Sequence, residues 1–133
     1  MEDVMLRISV LWIFVAVASS AHYAMLVFEP GLLKKLLSED IPASARLAIG
    51  EAFGSWLIPL TMAFLSVTLG DLANRNLNMV LGGLYTLLGI IHIAGCPIVH
   101  ISNKPSVHQL LICISTVVVA ALIFWYAWNW QFS

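Results

Sequence analysis

The chain has 133 residues, 61% of them hydrophobic and only 10% charged, with a formal net charge of −1. A soluble domain carries about 25% charge, so a water-soluble fold is excluded, and the absence of a net basic field excludes a nucleic-acid partner. Two cysteines form neither a disulfide framework nor a CxxC redox pair, and no Gly-rich phosphate loop, HExxH or EF-hand pattern occurs.

The first apolar run predicts a membrane span over about 4–28, with Arg7 near its start. Small residues at Ala16-Val17-Ala18 resemble a signal-peptide cleavage site. However, the preceding segment is not net basic, and apolar residues continue to Phe28, so the run reads as a retained span. Glu29-Pro30-Gly31 breaks it. Paired leucines and lysines in Leu32-Leu33-Lys34-Lys35-Leu36-Leu37 then read as a short amphipathic helix on the membrane surface, over about 31–38. A second span is expected over about 51–70, kinked where Pro59 removes a backbone donor and frees the Ser55 carbonyl. Asp71 to Asn76 reads as a tight polar turn, followed by spans over about 77–99 and 107–128. The fold class is therefore all-α: an integral membrane four-helix bundle in one domain covering 1–133.

Four spans put both termini on one side. Arg7 and Arg75 lie on that side, against Lys34, Lys35, Arg46 and Lys104 on the other. The basic majority on the first and third loops puts those loops in the cytoplasm and the termini outside a cell membrane. Trp12, Trp125, Trp128 and Trp130 gather at the terminal side, as an interfacial aromatic belt does.

Polar residues inside the spans fall toward the opposite end. His22 lies six residues before Phe28, and His92 six before Ile98, so both sit roughly 9 Å inside the same end. Glu51, His108, His100 and Cys96 also belong to that end. At 100° per residue, Tyr85, Thr86, Gly89, His92 and Cys96 share a stripe, as do His108, Ser115, Leu122 and Tyr126. Leu11, Val15, Ser19 and His22 share another, and Glu51, Ser55, Met62 and Ser66 a fourth. Lipid cannot satisfy such groups, so each stripe is expected to turn inward. Cys113 falls off its helix's stripe and is left out of the site. His100 reads as a headgroup-level residue, and Gly82, Thr86 and Gly89 as a small-residue packing face.

Leu11-Trp12-Ile13-Phe14, Glu29-Pro30-Gly31-Leu32-Leu33-Lys34, Ala73-Asn74-Arg75 and the closing Phe124-Trp125-Tyr126-Ala127-Trp128-Asn129-Trp130 resemble an uncharacterised prokaryotic family of small four-helix membrane proteins, loosely DoxX-like in layout. The resemblance covers nearly the whole chain and implies a four-span bundle, without an activity or catalytic residues. Other small four-span families fit less well. The first span lacks the embedded glutamate of small multidrug exporters, and the paired cysteines of thiol and quinone oxidoreductases are missing. Arg46 and Glu51 only echo the glutathione-binding enzymes.

Several functions stay open. One is a polar pocket lined by His22, Glu51, Ser55, Tyr85, His92 and His108 that binds or moves a lipid or small apolar molecule. Another is a structural or assembly subunit, as a homo-oligomer or in a larger membrane complex, that uses the Gly82/Thr86/Gly89 face. A third is an enzyme on a lipophilic substrate, with Glu51 or a histidine moving a proton. The fourth is a haem or transition-metal protein ligated by His22, His92 and Cys96.

Overall fold

Hydrocarbon offers no hydrogen bonds to a backbone, so apolar runs of spanning length become helices. The computed structural model describes residues 2–26, 52–99 and 107–131, with side chains over 3–25, 52–95 and 107–131. The expected surface helix over 31–38, Glu51 and His100 lie outside the described residues. The described chain is helical throughout: α1 (Glu2–Leu26), a π-helical turn (Phe53–Leu57) running straight into α2 (Ile58–Thr68), α3 (Asp71–Val99) and α4 (Val107–Trp128). Asp3–Met25, Asp71–Gly95 and Val107–Trp128 are long and apolar enough to cross a membrane, and Phe53–Thr68 is a shorter apolar helix. Outward faces are apolar as well: Val17, Phe64, Val80 and Leu111 are each about 60% exposed or more. This is an integral membrane four-helix bundle whose outer surface suits acyl chains.

α1 packs on α4 and α2, α4 packs on α3, and α2 meets α3 only sparsely. The core runs along Ile8, Trp12, Val15, Met62, Ala63, Val119, Ile123, Ala127 and Trp130. Trp12 and Trp130 are therefore core residues, not parts of an interfacial belt, whereas Trp125 and Trp128 stay more than half exposed.

Asp71 to Asn76 is not a turn; it opens α3, and only Leu69 and Gly70 separate that helix from α2. Asp71 suits the positive N-terminal end of the helix dipole. Asn74 and Asn78, four residues apart and fully buried, face inward and are satisfied there. Asn78 Oδ1 accepts from Trp12 Nε1 at 2.6 Å and from the Ser66 hydroxyl at 3.2 Å. Asn78 Nδ2 donates to the Asn74 backbone and side-chain oxygens at 2.9 and 2.6 Å. Asn74 Nδ2 donates to the Ser66 carbonyl at 2.8 Å, and the Ser9 hydroxyl to the Ala63 carbonyl at 2.7 Å. Arg75 donates to the Ala127 carbonyl at 3.2 Å, which also accepts from the Trp130 N–H at 3.4 Å, and so ties α3 to the end of α4.

The glycine face has an internal partner. A Cβ on Gly82 would stand 2.9 Å from the Phe124 backbone nitrogen, and one on Gly89 would stand 2.5 Å from Val117 Cγ2. The Gly82/Thr86/Gly89 surface is thus used for close α3–α4 contact and is not a free docking face, which removes the feature on which the assembly reading relied.

The Ile58 N–H bonds to the Phe53 carbonyl in π-helical register, and residue 59, a proline, has no N–H to give. Continued in that register, the missing donor falls opposite the Gly54 carbonyl. The Tyr85 hydroxyl of α3 donates to it at 2.5 Å, tying α3 to the π turn across the sparse α2–α3 seam. Tyr85→Phe is expected to lower unfolding free energy by about 1–2 kcal/mol, the cost of orphaning a part-buried carbonyl. The loss should shrink in a Pro59→Ala background, where an N–H returns. Equal losses in both backgrounds, measured by denaturation in detergent, would detach Tyr85 from the proline.

Candidate functional site

Where α2 and α3 part, the four helices leave a cleft of about 540 Å³. Roughly 300–1,000 Å³ is usual for a small-molecule site. Most of its surface is apolar, with Ile58, Leu81, Leu84, Leu88, Ile112 and Val117 supplying its aliphatic part. Its polar groups come from α1, the π turn, α3 and α4. Ser19, His22 and Tyr23 stand on α1, Ser55 on the π turn, Tyr85 and His92 on α3, and Cys113 and Thr116 on α4.

These groups touch one another. The His22 and His92 rings meet edge to face, with centroids 5.7 Å apart and planes at 81°. Tyr23 closes on His22 from the other side at 5.6 Å, and its hydroxyl lies 3.2 Å from the Ser55 hydroxyl. Cys113 Sγ lies 3.8 Å from His22 Nδ1. The ligating atoms of His22, His92 and Cys113 all lie within 4.8 Å of one another. His22 and Cys113 are half-buried and His92 is exposed, so the cluster is held by the bundle yet reachable from its side. Gln109, 4% exposed, donates from Nε2 to the His22 carbonyl at 3.4 Å and tethers α4 to α1 beside the cluster. A T-shaped contact between Trp12 and Tyr85, 5.2 Å between centroids, joins the cleft wall to the buried asparagine network.

Of the residues expected in a site, His22, Ser55, Tyr85 and His92 line this cleft together. His108 is half-buried on α4 outside the lining. It is five residues from Cys113, roughly 140° round the helix. Glu51 lies outside the described residues. Cys96 is carried by α3, but its side chain also lies outside them. Cys113, which the sequence reading set aside, takes part. The inward stripe of α4 is Gln109, Cys113, Thr116, Ala120, Ile123 and Ala127, whereas Leu122, expected inside, is 39% exposed. The signal was available: Gln109 is the most polar residue after His108 in that span, and Cys113, Ala120 and Ala127 recur every seven residues.

No family model, curated protein or solved structure matches this chain. Fold and composition define a class, a small integral membrane protein of helical-bundle type, and its chemistry has to be argued from the cleft.

Proposed function

We propose that this protein takes a small lipophilic molecule, a lipid or an apolar compound with one polar group, into the cleft between its helices. The reading rests on one observation: a cavity of about 540 Å³, largely apolar in surface, on which two imidazoles, two phenols and a thiol converge. An aliphatic wall holds a hydrophobic body by dispersion and exclusion of water, and a few convergent polar groups orient its head. The sparse α2–α3 seam supplies lateral entry from the bilayer. The loops beside the cleft face the cytoplasm in this proposal. Kinship with small four-helix, loosely DoxX-like proteins belongs to it as well and brings no activity.

Native mass spectrometry of the full chain released from nanodiscs is expected to show a retained small molecule, and apolar compounds should raise the unfolding temperature. Ser19→Phe, which puts a ring into the cleft, should abolish both effects while the protein remains folded. A chain that carries nothing and is stabilised by no apolar compound, or a Ser19→Phe variant that binds as before, would rule the reading out.

A further inference from the structure

We infer that His22, His92 and Cys113 form an intramembrane site for a monovalent soft cation, Cu⁺. The donor set and its spacing both point there. Two imidazole nitrogens and a thiol sulfur, brought from three helices, lie within 4.8 Å of one another. Around a tetrahedral or trigonal ion with metal–nitrogen bonds near 2.0 Å and metal–sulfur bonds near 2.3 Å, neighbouring donors stand roughly 3.5 Å apart. The Cys113 Sγ to His22 Nδ1 distance, 3.8 Å, needs only a small side-chain adjustment to meet that. Three donors about one point suit a small ion. Axial haem ligation needs the plane between the imidazoles clear, and Cys113 stands beside both.

Charge selects among soft ions. Cys113 binds as a thiolate and releases its proton to solvent, while both histidines bind as neutral imidazoles. With Cu⁺ the assembly is then neutral. With Zn²⁺ it keeps one positive charge, and the described cleft lining contains no carboxylate to offset it. His22 and His92 both fall within the apolar stretches Asp3–Met25 and Asp71–Gly95, each long enough to cross a membrane. Within such a span an uncompensated charge is costly and a neutral complex is not. Thiolate and imidazole ligands are also the set that soft Cu⁺ accepts.

This inference uses the same cleft as the lipophilic-ligand reading but does not depend on it: lipid-free protein that binds Cu⁺ keeps the one and removes the other. The test is an anaerobic competition between the full chain in nanodiscs and a colorimetric Cu⁺ chelator. One Cu⁺ per chain is expected, with Zn²⁺ unable to displace it. Loss of even an outer partner of a metal ligand costs about 10- to 100-fold in affinity. Cys113→Ser and His92→Ala, each removing a direct ligand, should therefore weaken binding by at least about 100-fold, and Ser20→Ala, outside the cleft lining, should leave it unchanged. Copper-edge X-ray absorption of the wild type, which needs no variant to fold, should show one sulfur and two imidazole nitrogens. Failure to compete for one equivalent, unaltered affinity in Cys113→Ser, loss of binding in Ser20→Ala, or an edge spectrum without sulfur would each overturn the site.

Discussion

Asn78→Ala is expected to lower the unfolding free energy by about 3 kcal/mol, the largest loss from any single polar side chain in the bundle. Asn78 is fully buried and exchanges hydrogen bonds with the Trp12 indole, the Ser66 hydroxyl and both oxygens of Asn74. A single interhelical bond in a membrane protein averages only about 0.6 kcal/mol, because the unfolded chain in lipid also finds partners. Asn78 differs in being shared. Its removal orphans the Trp12 N–H and the Asn74 side-chain oxygen together, and an orphaned buried group costs about 1–3 kcal/mol. Ser20→Ala is the control, since that hydroxyl bonds only to the Ala16 carbonyl of its own helix, and less than about 0.5 kcal/mol should be lost. Denaturant titration of both variants in mixed micelles measures the difference. Equal small losses would mean that the asparagine network does not hold the terminal end of the bundle.

Gly82→Val should be similarly damaging, at about 3 kcal/mol, while its neighbour tolerates substitution. At Gly82 the first added carbon meets Phe124 backbone nitrogen at 2.9 Å and Phe124 Cα at 3.2 Å. Backbone cannot rotate away as a side chain can, so α3 and α4 must separate. At Gly83 an added carbon reaches only the Phe124 ring, at 3.4 and 3.7 Å, which is ordinary contact. Gly83→Ala is therefore expected to be neutral or stabilising by up to about 1 kcal/mol through helix propensity. Thermal unfolding of the pair in detergent decides the matter. A Gly82→Val protein as stable as Gly83→Ala would mean that the α3–α4 spacing is wrong.

The three long apolar helices were legible because hydropathy over some twenty residues is a strong and local signal. Pro59 marked the second apolar run for a different reason, its missing N–H, but the π turn that precedes it has no such local signature. Asn74 was misread because local polarity says loop, and Asn78, inside the expected third span, was not singled out. What buries them is Trp12, 66 residues away in the chain, and no window of sequence holds that contact. Trp12 was misplaced by the same logic: a tryptophan near a span's end suits the interface unless an amide waits for its N–H inside. The meeting of His22 with His92 followed from matched depth. Cys113 was missed because the stripe on α4 was anchored on His108, when Gln109 and the small residues Ala120 and Ala127 marked the face that packs.

The most direct measurement of the central arrangement, polar side chains of separate helices meeting near one end of the bundle, is oxidative cross-linking to Cys113 in a Cys96→Ser background. Cys113 Sγ and His22 Nδ1 are 3.8 Å apart, whereas Ala24, two residues on in α1, is exposed. His22→Cys is expected to form an intramolecular disulfide with Cys113 in native membranes within minutes, and Ala24→Cys to form almost none. No disulfide at position 22, or equal yields at positions 22 and 24, would contradict both the inward face of α1 and the cleft built on it.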